Sequence, residues 1–347
     1  MTCGRQAKRP GFGFRQRLRL MIGRETLALL GVRMEVHSDD AGFLDEFAML
    51  FGGRQALREQ ERASFSVQLE TESAKTGYGE LQVFGDGLSE PARFLVGFSS
   101  PTVPLRLLDH SEPGWTALGL GDDPAPIFLF SNTKCFFRRV PRWRRIVSHF
   151  LFLRMLRLRK DALFFHAASI AIAGRGWLLF GPKGTGKSTT ALALAARGHG
   201  FLGDETACYL PSSGELLPFR RPVGIKPGPQ SAPVREALAR LRPSPDEDGL
   251  VRVPIERLLP VAPAQAVPLA SLFFLSGFGP RPELCQIRAG REELSCLQPI
   301  ASTLVSGQAT QRVFEMIRMV GSLACYRLLA GDPDETARLL EKGVESR

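Results

Sequence analysis

LLFGPKGTGKSTTALALAARGHGFLGDETACYL, residues 178–210, sets the reading of the whole chain. Gly181-Pro182-Lys183-Gly184-Thr185-Gly186-Lys187-Ser188 meets the phosphate-binding pattern G-x-x-x-x-G-K-[ST] at every fixed position. An apolar run, Trp177 to Phe180, precedes it. A run of good helix formers from Lys187 to Arg197 follows and is closed by Gly198. Gly181, Gly184 and Gly186 let the backbone curl so that successive N–H groups converge on one phosphate at the positive end of the helix. Lys187 is expected to reach the β- and γ-phosphate oxygens, and the Ser188 hydroxyl to ligate Mg²⁺. Pro182, Thr185 and Thr189 complete the expected ATP-contacting set. Lys183 either adds to the phosphate field or is simply solvated.

A strand from Phe201 toward Leu210, broken at Gly203, comes next, so the segment reads as a β-loop-α-β unit. Parallel pairing with a right-handed crossover is expected of such a unit. Asp204 and Glu205 close the first half of that strand, within one helix of Lys187. Strand carboxyl ends face the ligand crevice in doubly wound sheets, which turns both acids toward the loop. One carboxylate is then placed to hold Mg²⁺ and the other to accept a hydroxyl proton as a phosphoryl group moves. The alternative is a strand-ending turn with two solvated acids.

Residues 166–210, from His166 through Gly181–Ser188 and Arg197-Gly198-His199 to Asp204-Glu205, resemble the catalytic core of the HPr kinase/phosphorylase family, itself similar in fold to phosphoenolpyruvate carboxykinase. The resemblance implies an α/β P-loop domain and an ATP- and Mg²⁺-dependent kinase acting on a serine-type hydroxyl of a peptide or small protein. It implies Lys187 and Ser188 for ATP and Mg²⁺, Asp204 nearest the transferred proton, Glu205 as a metal-side carboxylate and His166 near the phosphates. On its own, His166 reads equally as a strand-end histidine with a backbone partner. Three departures stand out: Glu205 replaces the usual second Asp, Thr189 replaces the Glu after the loop serine, and the E-[IV]-R-G-[LI]-G segment is missing. In its place PFRRPVGIKPG (218–228) resembles a stretch of the HPr kinase-related kinases. Arg221 and Lys226 there either clamp a phosphate or acceptor or form a solvated basic turn.

The rest of the chain bounds the possibilities. Its 347 residues, 44% hydrophobic and 23% charged, suit a globular protein of two domains or one large one. No apolar run is long enough for a membrane span, no signal peptide is expected, and cytoplasm is the default. The net charge of +10 is concentrated at residues 5–24 and 138–160. With no nucleic-acid motif behind it, no nucleic-acid partner is expected. Six scattered cysteines (Cys3, Cys135, Cys208, Cys285, Cys296, Cys325) show no metal spacing and read as reduced thiols.

Residues 1–140 read as a smaller α+β domain, with ETLALLGVRMEVHSD as a strand, GFLDEFAMLFGG as a helix, and ASFSVQLE, GELQVFGDG and PIFLFSNTKCFFRRV as strands. His37 and His110 stand alone there. A basic linking helix follows at 141–160, with Trp143, Ile146, Val147, Phe150 and Leu153 on a core-facing stripe and its arginines in water. Residues 161–347 form the kinase-like domain. Within it RPSPDEDG (242–249) reads as a mobile loop, AVPLASLFFLSGF as a core strand, and GDPDETARLLEKGV as a helix started by Asp332 or Asp334. LVSGQATQR (304–312) faintly echoes a transport-ATPase signature, but no Asp-Glu follows as that class needs. A small-molecule kinase and a non-catalytic nucleotide-gated module remain alternatives, and a homo-oligomer is left open.

Overall fold

The computed structural model describes residues 23–52, 64–71, 79–84, 105–108, 115–130, 135–246, 249–262, 264–297 and 309–345. The basic stretch up to residue 22, Cys3, His110 and residues 304–308 lie outside them. The chain divides into two compact units, Met1–Ala48 with Gly53–Phe150, and Met49–Gly52 with Leu151–Arg347.

The first unit carries strands β1 (Gly23–Leu29), β2 (Val32–Ser38), β3 (Ser64–Glu70), β4 (Gly79–Phe84), β5 (Leu105–Leu108), β6 (Thr116–Leu120), β7 (Phe128–Phe130) and β8 (Cys135–Phe137). They form one sheet in the order β1-β2-β3-β4-β8-β7-β6-β5. The single strand expected over residues 25–39 is a hairpin. Leu30 (φ 56°) and Gly31 (φ 75°) both take the left-handed conformation that a tight two-residue turn requires. Helix α1 (Ala41–Phe51) connects the parallel pair β2 and β3 in sequence, is capped by Asp40 Oδ1 accepting from Phe43 N at 2.8 Å, and ends at Gly52 with φ 73°.

Helix α2 spans Trp143–Arg157, with Phe150 the last residue assigned to the first unit and Leu151 assigned to the second. In its first half Trp143 stacks on Phe43 and Phe137. The arginines expected in water have partners here: Arg144 pairs with Asp40, and Arg145, itself buried, with Glu46. From Phe150 to Leu156 the helix is buried all round, Arg154 included, so it is a core helix with no apolar face left over.

The second unit is a mixed sheet between helices. Its elements are β9 (Leu163–Phe165), β10 (Ala168–Ile172), β11 (Arg175–Phe180), α3 (Lys187–Ala196), β12 (Gly200–Gly203), β13 (Ala207–Leu210), β14 (Glu215–Leu217), β15 (Val223–Ile225), α4 (Ala232–Leu241), β16 (Val251–Val253), α5 (Ile255–Leu258), β17 (Val267–Phe278), β18 (Glu283–Ile287), α6 (Arg291–Cys296), α7 (Ala309–Ser322), β19 (Ala324–Ala330) and α8 (Pro333–Glu345).

The strand order is β12-β10-β11-β17-β14-β13-β9, with β19 also on β17 and β18 on β19. Alternate residues of β11 and β17 feed opposite faces. Trp177, Leu179, Phe273 and Leu275 pack with α3, α4, α5 and α8. Leu178, Phe180, Leu272 and Phe274 pack with α7. Both faces are covered, which is why these strands read as unbroken apolar runs.

The parallel pairing expected between β11 and β12 does not occur. Strand β10 lies between them and is antiparallel to both, so β11 and β12 point the same way one strand apart. The parallel neighbours are β11 with β17 and β17 with β19. Two local expectations also resolve. Asp332, not Asp334, starts α8, its Oδ1 accepting from Asp334 N and Glu335 N. In the loop expected to be mobile, Asp246 is anchored, accepting from Leu250 N and from Arg252 Nε.

Candidate active site

The loop Gly181–Ser188 leaves the carboxyl end of β11 and runs directly into α3. Gly181 (φ 144°), Gly184 (φ 92°) and Gly186 (φ 97°) hold conformations that side-chain-bearing residues rarely adopt. At Gly181 a methyl would also strike the Leu275 carbonyl oxygen at 2.6 Å, so β17 presses on the loop from one side. A methyl on Gly184 would meet nothing within 4 Å. Helix α3 has no side-chain cap and no acid in its first turn. Its leading N–H groups therefore want an acceptor, and they carry the positive end of the helix dipole.

Lys187 is buried at the base of the loop, where its Nζ donates to the carbonyls of Gly181 (2.7 Å) and Pro182 (3.1 Å). Removal from water holds its pKa below the usual lysine range, against the pull of Asp204 and Glu205. Thr185 Oγ1 donates to the Pro182 carbonyl, bracing the loop. Pro182 and Lys183 are exposed, and Ser188 and Thr189 partly buried.

Ser188 Oγ donates to Asp204 Oδ1 at 2.8 Å. Asp204 is buried, and its Oδ2 has no hydrogen-bond partner in the protein. Burial, reinforced by the neighbouring Glu205 charge, pushes its carboxyl up to about 6 from 3.8. A buried acid with a raised pKa and a free oxygen beside a loop hydroxyl is the chemistry of a proton acceptor or a cation ligand.

Glu205 takes a left-handed conformation (φ 60°), unusual for a side chain of its size. The turn separates two neighbouring acids. Asp204 points at Ser188, while Glu205 Oε2 accepts from Arg221 at 3.3 Å and lies 4.0 Å from Arg252 Nη1. Arg221 is itself buried, with its guanidinium over the rings of Phe51 and Phe152. Arg221 is thus not part of a solvated basic turn, whereas Lys226 is exposed. Gly203 brings Arg221 there: Phe219 N donates to Leu202 O, and a methyl on Gly203 would strike Phe219 O at 2.6 Å.

His166 follows β9, which pairs with β13 so that Phe165 lies opposite Ala207. Its Nδ1 is 3.1 Å from the Glu205 carbonyl oxygen, an atom that only accepts, so Nδ1 carries the hydrogen. Partial removal from water, and then Lys187, hold its pKa below the ordinary histidine value. It is a strand-end histidine with a backbone partner, set beside the acids. Arg197 and His199 lie elsewhere: both hold Glu341 on α8 and tie the end of α3 to that helix.

The residues that sequence reasoning missed are Arg252 and Asp246. Arg252 reaches Glu205 because β16 pairs with β15, setting Arg252 opposite Gly224. No motif marks that pairing.

No protein-family model matches the chain, and no curated protein matches it. Among solved structures, the Hpr(Ser) kinase/phosphatase from Coxiella burnetii aligns with 53% of this chain and 88% of its own, at 15% identity and a TM-score of 0.25. So loose a superposition marks a distant likeness and carries no argument about the site. Among the described residues no helix is long and apolar enough to cross a membrane.

Proposed function

We propose that the chain is an ATP- and Mg²⁺-dependent phosphotransferase that moves the γ-phosphoryl group to a hydroxyl, of serine type on a peptide or small protein. The observation that carries this is the Ser188–Asp204 hydrogen bond, which joins the last loop residue to a buried acid of raised pKa. A phosphate-binding loop alone would serve any nucleotide protein. A proton-accepting carboxylate in contact with the loop is what transfer to a hydroxyl needs.

The triphosphate is assigned to the uncapped N-terminus of α3 and the open side of Gly184, with Lys187 turning from the loop carbonyls to the phosphate oxygens. The donor set suits Mg²⁺, a hard cation that takes oxygen ligands. Ser188 Oγ and Asp204 Oδ1, which now share a hydrogen bond, are the oxygens that would hold it. When bound there, Mg²⁺ supplies positive charge to the phosphate oxygens. Asp204 Oδ2 is assigned the hydroxyl proton. Glu205, engaged by Arg221 and Arg252, is assigned to positioning: its backbone turn aims Asp204 at the loop, and its carbonyl holds His166. The serine-type acceptor follows from the motif resemblance alone.

The test is transfer from γ-labelled ATP, with Mg²⁺, into a heat-treated, size-fractionated extract of the host in which resident kinases are inactive. Label is expected in one polypeptide as an acid-stable, alkali-labile phosphate, and chelation should abolish it. Release of inorganic phosphate with no labelled acceptor of any size would contradict the proposal.

A further inference from the structure

We infer that Phe278 is the stacking platform for the base of the bound nucleoside triphosphate, which rests on the nucleotide reading above. Strand order gives the site two sides. Loop strand β11 has β10 and then β12 on one side, and Asp204, at the carboxyl end of β12, reaches Ser188 from there. On the other side β11 pairs with β17 in parallel, so the carboxyl end of β17 arrives at the same edge of the sheet. A triphosphate with its reacting end at Ser188 and Asp204 must send its nucleoside away from them. Phe278 stands at the end of β17.

The ring lies on the loop itself. A methyl on Gly186 would come within 2.8 Å of Phe278 Cζ and 3.2 Å of Cε1. Yet the residue is 49% exposed, a large apolar ring left open to solvent beside the loop. The other large exposed apolar residues among those described, Met49, Leu294, Val313, Phe314 and Ile317, lie on helices α1, α6 and α7.

The aim of the ring is built into the strand. The pairing of β17 with β19 slips between Leu275 and Gly277, and Gly277 takes φ 133°. Such a bulge re-aims the side chains beyond it. Gly279 N then donates to Ala330 O at 2.7 Å and anchors the chain just past the ring. Phe273 and Phe274, before the bulge, are buried on opposite faces of the sheet. A phenyl ring has no hydrogen-bonding group, so the platform would hold any base by its π-face without choosing among them.

The experiment measures binding of Mg·ATP, Mg·GTP and inorganic tripolyphosphate to wild type, Phe278→Ala and Phe278→Trp by calorimetry. Phe278→Ala should weaken ATP and GTP alike, by about 5- to 100-fold, with tripolyphosphate unchanged within about twofold. Phe278→Trp should keep ATP affinity and show quenching of its added fluorescence by ATP but not by tripolyphosphate. Unchanged ATP affinity in Phe278→Ala, equal loss of ATP and tripolyphosphate, or a wild type that binds tripolyphosphate as tightly as ATP would each overturn the platform alone. A wild type that binds neither ligand would overturn the nucleotide reading with it.

Discussion

Ser188 Oγ and Asp204 Oδ1 are joined at 2.8 Å, although Ser188 sits in the first turn of α3 and Asp204 follows β12, beyond the far end of that helix. The contact exists because β11 and β12 run the same way with one antiparallel strand between them, which brings both carboxyl ends to one edge of the sheet. Asp204 is buried by this arrangement and left with one unpartnered oxygen. Such an oxygen costs stability unless it is protonated or used.

That cost has a pH signature. The folded protein holds the Asp204 proton up to about pH 6, whereas an unfolded chain releases it near 3.8. Between those values the folded state binds more protons, so stability falls as pH rises, and the loss is complete above pH 6. Asp204→Asn does not titrate. Its stability relative to wild type should therefore improve by roughly 1–3 kcal/mol from pH 4 to pH 7.5. Urea melts at the two pH values check this, and a difference that stays constant would place the Asp204 carboxyl at an ordinary pKa.

Lys187→Ala should weaken Mg·ATP binding by about 10- to 100-fold, the scale of one charge-assisted contact, and abolish transfer. The ammonium is already buried and held below the usual lysine range, so exchanging the Gly181 and Pro182 carbonyls for phosphate oxygens requires little further desolvation. Calorimetry on the folded variant gives the answer. An unchanged affinity would contradict the assignment of the loop.

Glu205→Gln separates metal binding from positioning. Arg221 and Arg252 are both buried, so removing the carboxylate charge should destabilise the unit by about 1–3 kcal/mol, at the low end because Glu205 is itself 36% exposed. The Mg²⁺ concentration needed for half-maximal transfer should stay within about threefold of wild type. An unchanged melting temperature with a strongly raised Mg²⁺ requirement would return Glu205 to the metal side.

The legible parts of the site are those where backbone geometry dictates residue type. The loop glycines and the closing Gly198 could be read because their positive φ favours glycine, and Lys187 and Ser188 because the phosphate-binding pattern fixes them after the loop. The proximity of Asp204 to the loop could be read from spacing. Ala173-Gly174-Arg175-Gly176 reads as a hairpin-like or tight connection into Trp177–Phe180, and β10 and β11 do form that hairpin. The pairing of β10 with β12 was not legible, because apolar runs buried on both faces look alike whichever neighbour they take. The first hairpin was hidden by Leu30, a residue with no preference for the left-handed turn it occupies. The different partners of Asp204 and Glu205 were hidden the same way. A left-handed glutamate turns neighbouring acids to different partners, and those partners, Arg221 and Arg252, arrive by way of Gly203 and β16.

The central claim is that Asp204 takes the proton of the acceptor hydroxyl. Mg·ATP affinity and phosphotransfer measured on one preparation of Asp204→Asn test it most directly. Asparagine keeps an oxygen for Ser188 but carries an amide nitrogen in place of Oδ2, and that nitrogen cannot accept a proton. At saturating Mg²⁺, which offsets the weaker amide ligand at Oδ1, affinity should remain within about tenfold of wild type while transfer falls by about 10²–10⁴-fold, the scale of a positioned general base. Transfer at the wild-type rate by a variant that binds ATP normally would contradict the account.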